Sequence, residues 1–106
     1  MVISFETQPL RTACINSGEA DALYGEAAAA ALRRVLADLR AANTVLDVAT
    51  FFDLPTDASG EFSSPLATTH TLLLRCNKKK PPLLPSGEVD WNAVERIRIL
   101  NVIANG

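Results

Sequence analysis

The residues best suited to chemistry in this sequence are cationic side chains around one strand-like segment. The stretch HTLLLRCNKKK, residues 70–80, carries one histidine, one arginine and a lysine run: His70, Arg75, Lys78, Lys79 and Lys80. An arginine offers two parallel N–H donors to a phosphate, and lysines add point charges beside it. A histidine exchanges protons near neutral pH. This combination is suited to binding an anionic polymer and to transferring a proton beside it.

Two further arginines extend this set if their segment lies beside the first one. Arg96 and Arg98 alternate with isoleucines in the final ERIRIL segment. We therefore take Arg75 and His70 as candidate catalytic residues, and we take the others as candidate phosphate contacts: Lys78, Lys79, Lys80, Arg96 and Arg98. Simpler interpretations stay open, because lysine runs are often solvated surface and a lone histidine is often structural.

Length, charge and cysteine content limit the classes of protein that the chain can belong to. Its 106 residues suit one domain, residues 1–106. The net charge of −2 means that any nucleic-acid-binding surface is local. Cys14 and Cys76 have neither disulfide-scaffold nor metal-site spacing and are interpreted as buried thiols. No membrane span, signal peptide, metal-ligand cluster or glycine-rich phosphate loop is recognisable, so we expect a cytoplasmic protein without metal or small-molecule cofactor.

The first half of the chain predicts a strand followed by helices. MVISFE alternates apolar and polar residues as a short strand does. Thr7 and Pro9 are typical of a helix start, and Leu10, Ala13 and Cys14 form a buried stripe behind them. Asn16 to Gly18 end that helix. The segment GEAAAAALRRVLADLRAAN, residues 25–43, predicts a long amphipathic helix packed on its predecessor, with Asn43 in a left-handed conformation at its end.

The second half predicts three strands. A turn spanning Pro55, Asp57 and Gly60 precedes two strand-like segments, EFSS and THTLLLRCN, and the second has the apolar run of a central strand. KKKPPLLPSG is a loop, because its prolines lack the amide donors of regular structure. Asp90 is placed as the N-cap of a helical turn, and a last strand is expected from about Glu95 to Ile103.

Several of these segments together resemble one known family. SFETQPLRTACINSG, LADLRAANTVLDV, GEFS and VERIRILNVI are similar to the RelE/ParE toxin superfamily, in its HigB-like, plasmid-maintenance killer branch, over most of the chain. The resemblance implies an α+β domain in which an N-terminal helical hairpin packs on a small antiparallel sheet. It also implies a toxin of a type II toxin–antitoxin pair, held silent by a helix-turn-helix antitoxin.

The activity that the resemblance implies is metal-independent cleavage of messenger RNA on the ribosome. There a ribose 2′-hydroxyl attacks the adjacent phosphate, and cationic or proton-transferring side chains stabilise the developing charge. The chain departs from the family pattern where Pro65 and Thr71 replace arginines and His70 replaces a tryptophan. A second function therefore stays open, in which a disarmed toxin fold binds a protein, either the antitoxin or DNA gyrase as ParE-like relatives do.

Overall fold

The chain forms one strand, then three helices, then three further strands. The computed structural model describes residues 1–55 and 59–106, so Asp57 of the predicted turn lies outside the described residues. The elements are β1 (Val2–Phe5), α1 (Gln8–Ile15), α2 (Ser17–Tyr24), α3 (Glu26–Ala41), β2 (Glu61–Leu66), β3 (His70–Cys76) and β4 (Arg96–Ala104), with short 3₁₀ helices at Val45–Phe51 and Trp91–Ala93. None of the helices in these described ranges is long and apolar enough to cross a membrane.

The four strands form one sheet in the order β1–β4–β3–β2. β2 pairs with β3, and β3 with β4, in antiparallel fashion. β1 pairs with β4 in parallel, with Val2 opposite Arg96 and Phe5 opposite Ile99. The predicted α+β class, with helices packed on a small sheet, is confirmed. Three helices take the place of the predicted hairpin, and the sheet is mixed rather than wholly antiparallel because the first strand joins the last one in the same direction.

The helices follow the predicted apolar pattern, with one addition. Thr7 caps α1 by accepting the Leu10 amide at 3.2 Å, and the stripe of Leu10, Ala13 and Cys14 is buried as predicted. Asn16 ends α1, but its Oδ1 atom also accepts the amides of Gly18 and Glu19, so α2 starts at once. The sequence pattern did not reveal α2, whose described side chains include a single buried one, that of Ala20.

The long helix α3 supplies the largest apolar surface of the helical layer. Its buried residues are Ala28, Ala29, Leu32, Leu36 and Leu39. The left-handed ending predicted at Asn43 is wrong, because Ala42 ends the helix with an extended backbone (φ −77°, ψ 149°). The carboxylate of Asp47 accepts the amides of Asn43 and Thr44, each at 3.1 Å, and this holds the exit in its extended form.

The sheet has one covered and one open face. Along β3 the side chains of Leu72, Leu74 and Cys76 are buried, whereas Thr71, Leu73 and Arg75 are partly or fully exposed. β4 alternates in the same way. The buried side chains join the helices in one core, so we call the other side the open face. Such one-sided covering is common in sheets with antiparallel pairs.

The second half of the chain matches its predicted outline. The predicted strands correspond to β2, β3 and β4, and β3 is central. The proline-rich segment is a loop, apart from one isolated bridge between Leu83 and Val89. Gly60, at φ +75°, lies so close to this loop that a Cβ atom there would be 3.3 Å from Pro81. Asp90 precedes the helical turn as predicted, but its side chain donates no capping bond and accepts none.

The buried stripe of α3 is expected to carry much of the stability. Leu36 is 1% exposed, so Leu36→Ala should lower the free energy of unfolding by about 2–5 kcal/mol through lost burial and a residual cavity. Leu23 is 59% exposed, and Leu23→Ala should cost less than about 0.5 kcal/mol. Urea denaturation followed by circular dichroism measures both, and equal losses would contradict the described core.

Candidate functional site

Strand pairing gathers most of the predicted cations at one end of the sheet. Arg75 lies directly opposite Arg98 in the β3–β4 pair, which places their Cβ atoms about 4.5–5.5 Å apart. Arg96 lies two residues before Arg98 and so projects on the same open face. The lysines follow the end of β3 after Asn77 and are exposed. We call this group the basic end: Arg75, Lys78, Lys79, Lys80, Arg96 and Arg98.

The position of Arg98 is fixed by a polar network. Its Nε atom donates to Asn77 Oδ1 at 3.3 Å, and its Nη1 atom donates to Glu6 Oε2 at the same distance. Asn77 in turn donates to Ser4 Oγ at 3.2 Å. Because the two charged side chains are 37% and 47% exposed, their ion pair contributes at most about 1 kcal/mol. Its main effect is to orient Arg98 along the open face.

Arg75 and the lysines are available to an anion. None of these four side chains forms an ion pair within the described ranges, although Glu61 lies opposite Arg75 in the β2–β3 pair. Two like charges directly opposite each other on neighbouring strands destabilise a sheet. A bound phosphate placed over Arg75 and Arg98 would relieve that repulsion and accept paired N–H donors. The arrangement is therefore suited to binding phosphate.

His70 lies away from the basic end. It begins β3, five residues before Arg75, and the two-residue period of a strand turns these two side chains to opposite faces. Their Cα atoms are roughly 17 Å apart along the strand. His70 Nδ1 shares a hydrogen bond of 2.8 Å with Thr69 Oγ1, and its ring meets the edge of Tyr24 at a centroid distance of 5.7 Å. The structure does not bring the two candidate catalytic residues together.

Three polar residues of the site are not among the residues predicted from the sequence. Glu6, Asn77 and Ser4 hold Arg98, and Glu6 is 92 residues away from it in the chain. No local pattern marks Ser4 and Glu6, because their proximity to Arg98 follows from the parallel pairing of β1 with β4. Asn77 lies beside β4 through the β3–β4 pair, and its place directly after a strand end that carries cations is a local signal for it.

The two thiols lie in the core and do not belong to the basic end. Both are free and buried. Burial raises the pKa of the Cys14 thiol to about 11, with Arg40 nearby opposing the shift. Burial also raises the pKa of Cys76, against the opposing effect of Lys78 and Arg75. Both groups are therefore protonated at neutral pH and are poor nucleophiles.

The described residues contain no candidate metal centre. Among the described side chains, no three of the His, Cys, Asp or Glu type are grouped so that they could hold a metal ion. No protein-family model, curated protein or solved structure matches the chain. The geometry of the basic end therefore carries the functional argument.

The raised pKa of Cys14 predicts a specific loss of stability in alkali. The unfolded thiol ionises as the pH rises through 9.0, whereas the folded thiol stays protonated until about pH 11. The contribution of Cys14 is thus complete below pH 9.0 and is lost as the pH rises to about 11. Urea denaturation at several pH values should show the wild type losing stability in this window faster than Cys14→Ala. Parallel curves would contradict the burial of this thiol.

Proposed function

We propose that this chain is a RelE/HigB-like toxin component of a type II toxin–antitoxin pair, acting in the cytoplasm by binding messenger RNA through its basic end. The observation that carries the proposal is the direct opposition of Arg75 and Arg98 on the open face. Six cations lie at one end of a chain whose net charge is −2, so the local potential there is positive. The resemblance of the sequence supplies the toxin class and the antitoxin as its partner.

Phosphate contacts account for the binding that we propose. On the described part of the open face no aromatic side chain is available for base stacking, since the aromatic contacts lie at Phe62, Phe52, Trp91, Tyr24 and His70 on the other side. Binding of this kind depends little on base sequence and weakens steeply with salt. Sequence or codon preference would then come from the ribosome rather than from this surface.

Cleavage by this site would depend on Arg75. An arginine beside the scissile phosphate stabilises the negative charge that develops as the 2′-hydroxyl attacks. His70, the predicted proton carrier, faces the helices at the other end of β3 and cannot serve that phosphate without a rearrangement. This placement favours the second candidate function, in which a disarmed toxin fold binds a protein, either the antitoxin or DNA gyrase, without cutting RNA.

Expression of the chain alone in a bacterial culture tests the proposal. We expect growth arrest with the wild type and at least a tenfold weaker effect with Arg75→Glu, because the substituted carboxylate repels phosphate. Arg34→Glu is the matched control, since Arg34 is an exposed arginine of α3 outside the basic end. Mapping of RNA 5′ ends then separates the candidates: new ends indicate cleavage, and arrest without them indicates binding alone. Arrest by both variants would contradict a role for the basic end.

Binding in solution tests the same surface without growth. The affinity for a short unstructured RNA should fall as salt is raised and should be about tenfold lower in Arg75→Glu. Glu6→Gln should raise the affinity by up to about fivefold, because it removes one carboxylate and releases Arg98 from its ion pair. Fluorescence anisotropy measures all three proteins. Weaker binding by Glu6→Gln would show that the orientation of Arg98 matters more than its charge.

A further inference from the structure

The two edge strands of the sheet differ in how their outward backbone groups are hydrogen-bonded. β2 forms one edge, and each of its outward amides is bonded or absent. Ser63 exchanges both backbone hydrogen bonds with Asp53, at 2.9 and 3.4 Å. Glu61 donates its amide to Ser59 Oγ at 3.2 Å, and Pro65 has no amide hydrogen to offer. Such features are typical of edges protected against the addition of another strand.

The other edge, β1, carries no comparable protection in the part of the chain that the structure describes. The residues that bond to β4 are the even ones: Val2 donates to Glu95 at 3.1 Å and Glu6 donates to Ile99 at 2.9 Å. In a parallel pair the intervening residues direct their amide and carbonyl groups away from the partner strand. Ile3 and Phe5 therefore present two amides and two carbonyls outward, and no described segment pairs with them.

A groove of about 520 Å³ runs along this unpaired edge, between β1, one side of α1 and the end of α3. Two exposed arginines line it, Arg11 and Arg40, and neither forms an ion pair within residues 1–55 and 59–106. Ile15, which is 55% exposed, adds an apolar wall. Glu6 is the acidic residue of the lining, and its carboxylate is already paired with Arg98. The groove is thus cationic and partly apolar.

We propose that the open edge of β1 is a docking site for an extended, acidic segment of a partner protein, which adds to the sheet as a fifth strand. Its backbone would pair with Ile3 and Phe5, and its carboxylates would meet Arg11 and Arg40. A nucleic acid lacks the alternating amide and carbonyl groups that such an edge requires. A second copy of this chain is disfavoured, because β1 pairing with β1 brings the same two arginines towards each other. The groove touches the network around Arg98 through Ser4 and Glu6 but includes none of the six cations of the basic end, so the proposal does not depend on the function of that end.

The probe is a short capped peptide of alternating valine and glutamate with a fluorescent label, and anisotropy measures its binding to the full chain. We expect saturable binding to the wild type. The double variant Arg11→Glu/Arg40→Glu should bind at least about tenfold more weakly. Arg34→Glu, which makes one such charge reversal elsewhere on α3, should bind as the wild type does. Equal binding of the peptide by all three proteins, or no binding to the wild type, would overturn the proposal.

Two N-methylated forms of the peptide separate strand addition from simple charge attraction. Methylation of the amides on one side of the peptide removes the donors that face β1, and methylation of the alternate amides leaves them intact, with side chains unchanged. We expect one form to lose binding and the other to keep it. Hydrogen exchange of the wild-type chain provides an independent readout, because peptide binding should slow the Ile3 and Phe5 amides and leave Ser63 unchanged. Equal affinities of the two forms, or unchanged exchange at Ile3 and Phe5, would overturn strand addition.

Discussion

The parallel pairing of β1 with β4 is the constraint on which the rest of the structure depends. It joins residues 2–5 to residues 96–99, so both halves of the chain must be in place before the sheet is complete. Parallel neighbours need a long connection, and here that connection includes all three helices, which cover one face. Without β1, the core strand β4 would become an edge, and its buried residues Ile97 and Ile99 would lose one flank. The open face is uncovered because the helices pack on the opposite face of the sheet.

The elements that could be predicted are those encoded by short-range patterns. The leucine stripe of α3 and the alternation along β3 repeat within a few residues, and their burial follows. α2 has no clear sequence signal, because Asn16 both ends α1 and caps α2. In the sequence, a polar pair followed by Gly18 looks the same whether it joins two helices or forms a loop. The end of α3 depended on the Asp47 carboxylate, a contact that outweighed the tendency of Asn43 to turn left-handed. The parallel partner of β1 has no local signal at all.

The candidate site shows the same difference between features with a local sequence pattern and features that depend on long-range contacts. The meeting of Arg75 with Arg98 required only that their strands be neighbours, and the sequence already suggested this condition. The separation of His70 from Arg75 was also readable, because an odd spacing of five residues turns two strand side chains to opposite faces. The ion pair of Glu6 with Arg98 was beyond sequence reasoning, since it connects opposite ends of the chain. The residue types thus indicated phosphate binding, whereas the strand topology decided which of these residues lie together.

The unequal protection of the two sheet edges has a consequence for self-association. Growth of a filament by strand addition needs two usable edges on every molecule, one to receive a neighbour and one to be received. In residues 1–55 and 59–106 this sheet offers one, because Asp53 and Pro65 close the β2 side. A strand that joins β1 therefore becomes the new edge of the sheet, and any further growth depends on that strand rather than on this chain. A sheet that accepts a guest strand at β1, as we propose, is thus not extended into a filament by strand addition between copies of this chain.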